Sequence, residues 1–218
     1  MPGRKIPEEQ RREAMLRAAF AVAEREGLDG VTARAVAREA GVSSGLVFFH
    51  FHSVDALRAA LLDWLLAHTF VAAELPARPS PGATASERML AAVRRDLDAL
   101  PRARRRVELF FDYWVLGTRD PAVRATIRTA LERYRQAFLP LAAAVAAEAP
   151  ARFGGDARGG AEGLATVAAS FVEGCALRAV LDPAGFDADG AMATLAALIY
   201  QPSHPGARAA PDPPPSDR

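Results

Sequence analysis

The chain has one cysteine, Cys175, in 218 residues. A lone thiol excludes an intramolecular disulfide and suits a reducing compartment. With no histidine near it in sequence, Cys175 reads first as a small apolar core residue. Aromatic residues make up only 7%, and neither sign of charge dominates: 27 Lys and Arg face 26 Asp and Glu, a formal net charge of +1. Without a global basic field, any nucleic-acid footprint has to be local. No uninterrupted apolar segment reaches about 18 residues, and the N-terminal MPGRKIPEEQRREAM has charges but no apolar signal core. The expectation is a soluble, cytoplasmic chain with no membrane partner. The glycine-rich stretch 150–160 lacks the Gly-Lys-Ser/Thr of a phosphate loop. No nucleophile–base pair or metal-ligand cluster is legible either, so neither an enzyme nor a cofactor is expected.

Half of the residues are hydrophobic, alanine is abundant and β-branched runs are few. That composition favours an all-α protein, with length for one or two domains. The organising stretch is Val31–Leu57, VTARAVAREAGVSSGLVFFHFHSVDAL. Thr32 can N-cap a short helix from Ala33 to Ala40, on which Val36, Ala37 and Ala40 form a small apolar stripe. Gly41 follows where the chain turns left-handed after a helix end, a conformation that costs glycine no Cβ clash. Val42 plugs the space between helices, and Ser43 or Ser44 caps the next one. Two short helices joined by a tight Gly-containing turn form a helix-turn-helix, whose second helix enters the DNA major groove.

The run Gly41-Val42-Ser43-Ser44-Gly45, followed by Phe48-Phe49-His50-Phe51, Ser53 and Asp55-Ala56-Leu57, resembles the DNA-binding signature of the TetR family of bacterial regulators. The likeness extends upstream through Arg12, Ala18-Ala19-Phe20, Gly27 and Thr32, covering about the first sixty residues. Two positions depart from it. Phe48 stands where the family usually has tyrosine and Val54 where it usually has lysine, both common phosphate contacts, which implies a thinner phosphate grip. The resemblance implies an N-terminal three-helix DNA-binding domain and a larger C-terminal helical ligand-binding and dimerisation domain, about nine helices in all. The expected DNA-facing set is Thr32, Arg34, Arg38, Ser43, Ser44, Gly45, Leu46, Phe48, Phe49, His50 and His52. Gly45 allows close backbone approach, Ser44 can bond a phosphate or base edge, and Leu46 and Phe49 can touch thymine methyl groups. Arg34 and Arg38 suit phosphates as well as they suit a solvated helix face. His50 and His52, two residues apart, do not share a helix face and are not read as metal ligands. The recognition helix has no arginine, so the commonest guanine contact is missing from it.

Before this segment, residues 1–7 form a basic arm with Arg4 and Lys5, and a first helix runs from Pro7 to Glu26, where Gly27 stops it. After it, a long helix from Val54 to about Glu74 carries Leu57, Leu61, Trp64, His68 and Val71 on one stripe. PARPSPG at 76–82 is a linker, and Thr84 or Ser86 starts a helix that Pro101 ends. The arginines at 102 and 104–106 read as a solvated turn, and VELFFDYWVL at 107–116 as a helix buried on several faces. Asp120-Pro121 starts a helix to Glu148 that Pro140 kinks or divides. Residues 150–160 read as a loop, followed by helices at 162–181 and 188–200. The segment Phe171 to Arg178 with Leu181-Asp182-Pro183 is similar to a run in BetI-like members of the family. The family implies a homodimer through the last two helices.

The expected domains are 1–53 for DNA binding, 54–201 for ligand binding and dimerisation, and a disordered proline-rich tail at 202–218. A small-molecule effector is expected among Trp64, His68, Phe110, Tyr113, Trp114, Phe171 and Cys175. The functional expectation is a homodimeric repressor on a palindromic double-stranded DNA operator, released when the effector binds. The alternative is a protein of the same build whose DNA binding is weakened and which works through protein contacts.

Overall fold

The computed structural model describes residues 7–69, 82–153 and 160–200. Among them the fold is all-α: α1 (Glu8–Gly30), α2 (Ala33–Ala40), α3 (Ser44–Phe51), α4 (Val54–Thr69), α5 (Ala85–Gly117), α6 (Pro121–Glu148), α7 (Pro150–Phe153), α8 (Ala161–Leu181) and α9 (Ala188–Tyr200). The basic arm, the end of the expected α4 extension, most of the linker and the proline-rich tail lie outside the described residues.

Local chemistry sets the first three helices. Gly27 breaks α1 with φ 73° and ψ 179°, leaving a single turn beyond it. The Thr32 hydroxyl accepts the Ala35 amide at 3.2 Å, and Ser43 does the same for Leu46 at 3.2 Å. Gly41 takes the left-handed conformation at φ 66°, as the turn demands. A capping box between Thr84 and Glu87 starts α5, and Asp120 accepts two amides at the head of α6.

Pro101 overturns the sequence reading, since α5 runs unbroken through it, and Pro140 does not divide α6. Each proline removes one helical hydrogen bond at a cost of about 3 kcal/mol. Burial on both sides offsets it: Leu97, Leu100, Val107 and Leu109 flank Pro101, and Phe138, Leu141 and Ala142 flank Pro140. The arginines expected in a turn are therefore helical. Arg104 and Arg105 pair with Glu108 at 2.8 and 3.3 Å, which accounts for that carboxylate. The expected 150–160 loop begins instead as the single turn α7, with Pro150 first, where a missing N–H costs nothing. The aromatic stretch is buried less completely than expected, since Trp114 is 47% exposed and Val115 60%.

The buried residues form two clusters. The first joins α1–α4 to Leu109, Phe110 and Tyr113 of α5 and to Ile127 and Ala130 of α6. The second lies between α5, α6 and α8, with Leu195 of α9. α4 is the bridge, burying Leu57, Leu61, Leu62, Leu65 and Leu66, while Trp64 and His68 sit at the margin of that face. Beneath it the Tyr113 hydroxyl donates to the Arg58 carbonyl at 2.7 Å, and Arg58 donates to the Asp29 carbonyl at 3.1 Å. This polar chain ties α5 through α4 to the turn before α2.

α8 is long and apolar enough to span a membrane by length and composition, with a mean hydropathy of 1.6 over 18 residues. Its buried residues, Ala165, Ala168, Ala169, Val172 and Cys175, face the second core. Val167 and Leu181 on other faces are 57% and 74% exposed.

Leu61 is fully buried where α4 meets both α1 and α5. Leu61→Ala is expected to cost about 2–5 kcal/mol, against about 1 kcal/mol for Tyr113→Phe, which loses one hydrogen bond. Circular-dichroism melts of the two variants measure the difference.

Candidate functional site

The first site is the outer surface of α2 and α3. Val47 and Phe51 point inward and are 1% and 3% exposed, which fixes the rotation of α3. The opposite side then presents Ser44, Gly45, Phe48 and Phe49, with the two rings 59% and 67% exposed. Thr32, Ser43 and His52 are also exposed, at the ends of these helices. His52 closes α3 with φ 64° and its amide on the Phe48 carbonyl at 2.7 Å. Arg34 and Arg38 project from α2, and Arg38 lies 4.0 Å from Glu26. Two expected DNA-facing residues sit differently. Leu46 packs against the first core, and the His50 Nε2 is buried without a hydrogen-bond partner among the described residues, so neither side chain stands free on the outer face. A Cβ built on Gly45 meets only the Ser43 Oγ at 3.9 Å. The protein itself thus leaves room for a side chain there.

The second site is a cavity of about 750 Å³ between α4, α5, α6 and α8. Of the residues expected to hold an effector, the structure brings His68, Phe110 and Trp114 to its wall. Trp64 faces α1 instead: its indole N–H donates to both Glu13 oxygens at 3.0 Å, and its ring lies 5.5 Å from Phe20. Tyr113 is buried on the Arg58 carbonyl, while Phe171 and Cys175 pack in the second core. Helical spacing could not separate these faces, because neighbours on one stripe face different partners.

The cavity's polar groups come from residues that sequence reading passed over. The Tyr134 hydroxyl donates to Asp96 at 2.7 Å, and Arg95 reaches the other oxygen of that carboxylate at 3.1 Å. Burial and the adjacent carboxylate push the Tyr134 phenol far up from its ordinary range. Arg106, Ser170 and Glu173 complete the polar wall, and burial raises the Glu173 carboxyl. No spacing motif announced them. A second cavity of about 500 Å³ shares Trp114, Leu131, Ser170 and Glu173 and continues between α6 and α8.

A capped α2–turn–α3 pair, mounted on a helical body that encloses a cavity, is the architecture of a helix-turn-helix transcriptional regulator. Comparison with known proteins agrees. Residues 15–61 match the model described as "Bacterial regulatory proteins, tetR family", and residues 85–201 match "BetI-type transcriptional repressor, C-terminal". The chain belongs to the TetR family of bacterial transcriptional regulators, with a C-terminal region of the BetI type. It is 27% identical over 191 residues to the HTH-type transcriptional regulator BetI of Cronobacter sakazakii, covering 88% of this chain and 90% of that one. A transcriptional regulator from Pseudomonas aeruginosa shares the fold with a TM-score of 0.73 at 22% identity, covering 90% of this chain and 91% of that one. A regulator from Saccharomonospora viridis, solved in complex with choline, superposes with a TM-score of 0.65 at 22% identity over 88% and 96% of the two chains. These relatives are regulators, not enzymes.

Glu13 supplies the first measurable consequence. The Trp64 hydrogen bond, and after it Arg17, hold its carboxyl below the usual range. A carboxyl depressed in the folded state stabilises the fold above its unfolded pKa, and the contribution fades as pH falls through the folded value. Glu13→Ala should therefore lower the melting temperature at neutral pH, and its deficit against wild type should shrink on acidification below the carboxylate range.

Proposed function

We propose that this chain is a ligand-responsive repressor that binds a palindromic operator as a homodimer and leaves it when a small molecule fills the 750 Å³ cavity. One observation carries the reading. A single apolar core is continuous from Val47 and Phe51 under α3, through the leucines of α4, to Phe110 on the cavity wall. A molecule pressing on that wall presses on the packing that orients the recognition helix. His68 offers a second route, since it lines the cavity and stacks on Trp64 at 4.3 Å, and Trp64 is held by Glu13 of α1. The effect on DNA is limited by how differently the ligand binds the two head orientations.

In this reading residues 1–53 form the DNA-binding domain and 54–201 the effector and dimerisation domain, in a cytoplasmic protein. Ser44, Gly45, Phe48 and Phe49 approach the major groove, with Arg34 and Arg38 on phosphates and Thr32, Ser43 and His52 alongside them. The dimer forms through the outer faces of α8 and α9, where Val167, Leu181 and Leu198 are exposed apolar side chains. Two-fold symmetry then sets the recognition helices about 34–36 Å apart, or a multiple of that. The exposure of Phe48 and Phe49 also favours a second reading, in which this face of α3 contacts protein rather than DNA.

Gly45 separates the two. Gly45→Ala removes no contact and should stabilise α3 by about 0.5–1 kcal/mol. Fluorescence anisotropy on the DNA upstream of the gene, with scrambled duplex beside it, should show wild type preferring the operator by about 10³ or more. The Gly45→Ala variant should bind that operator at least tenfold more weakly while its melt holds or rises. Equal, weak binding of wild type to both duplexes would sink operator recognition and leave the protein-contact reading.

A further inference from the structure

We propose that the effector carries an acidic group, a carboxylate or phosphate on an apolar body, and that Arg106 is its principal contact. The inference rests on the cavity being the effector site. It starts from hydrogen-bond donors that the protein leaves unmatched. The Thr69 hydroxyl, the Arg95 Nη1 and the Arg106 Nε are buried atoms without a hydrogen-bond partner among the described residues, and all three residues line this one cavity. Buried polar groups in native proteins are matched, so three groups with unmet hydrogen-bonding capacity on residues of one cavity wall favour a ligand that offers acceptors.

The charges around them sharpen the choice. Asp96 is already engaged from two sides, by the Tyr134 hydroxyl at 2.7 Å and by Arg95 at 3.1 Å. That leaves the Arg95 Nη1 turned away from its own carboxylate. Glu108, near Arg106 in sequence, is taken by Arg104 and Arg105. Arg106 itself has no ion-pair partner among the described residues. A half-buried guanidinium without a counter-charge is costly, and a planar fork suits two oxygens of a carboxylate or phosphate. The remaining carboxyl of the wall, Glu173, is raised by burial, which disfavours its charged form.

The rest of the wall describes the body of the ligand. Leu100, Val107, Phe110 and Leu131 are apolar, and Ala99 and Ala103 leave width on the α5 side. Arg95 and Arg106 lie eleven residues apart on one helix, close to one face and about 16 Å along its axis. The acidic group thus meets a cation at either end of an elongated apolar slot. The chemistry is that of an amphipathic organic acid.

Isothermal titration calorimetry on the full chain tests this with four probes of one chain length: octanoate, octyl phosphate, octanamide and octyltrimethylammonium. Octanoate or octyl phosphate should bind at least tenfold more tightly than the amide and the cation, and the better acid identifies which oxyanion fits. Arg106→Gln should weaken that acid at least tenfold and leave the amide unchanged, with Arg106→Lys between the two. Melts confirm that each variant folds. Tightest binding of the cation, equal binding of acid and amide, or indifference to Arg106→Gln would each overturn the acidic-group assignment. Ala103→Trp, which fills the slot, keeps this failure apart from that of the underlying reading. If the probes bind without regard to charge and Ala103→Trp abolishes them, the effector cavity stands and the acidic group falls. If no probe binds, or binding survives Ala103→Trp, both fall.

Discussion

The structure depends on the burial of one face of α4. Leu57, Leu61 and Leu65 recur every four residues, and Leu62 and Leu66 widen the stripe, so α4 has apolar surface for the α1–α3 head and the α5–α6 hairpin at once. Side chains in such a core are packed as densely as in a crystal, and the assembly shifts between arrangements more readily than it deforms. The polar chain from Tyr113 through Arg58 to Asp29 fixes the register of this sandwich.

The second constraint is polar matching. Several charges among the described residues are paired locally: Arg17 on Glu13, Arg25 on Glu39, Arg135 on Glu132 and Glu162. Exposed pairs of this kind contribute little to stability, typically under about 1 kcal/mol each. Arg106 differs from these in lining the cavity with no ion-pair partner among the described residues, which is what the proposed acidic ligand would use.

The family membership and the cavity chemistry carry different weight. Likeness in the head and the helical body places the protein among TetR regulators, yet function on a shared fold resides in the site. The S. viridis neighbour holds choline, a quaternary ammonium, whereas this cavity combines Arg95 and Arg106 with Asp96 and Glu173. The mixture makes the ligand's charge a property to be read from this chain's own wall.

What the sequence determined by itself was local. Thr32, Gly41 and Ser43 declare the helix-turn-helix because capping and the left-handed turn are short-range chemistry, satisfied within four residues. Asp120-Pro121 was legible for the same reason, while the start of α5 was legible only as Thr84 or Ser86, and the structure caps it with Thr84. Pro101 misled, because a local cost was weighed without the burial on either side that offsets it. The cavity was legible only in part. His68, Phe110 and Trp114 reach it, but Trp64, on the same stripe, turns to Glu13 fifty-one residues away. Arg95, Asp96, Arg106, Tyr134 and Glu173 come from three helices and meet by packing alone. Helical periodicity says which residues share a face; which partner covers that face, and which polar atoms are left unmatched beneath it, is decided by the tertiary structure.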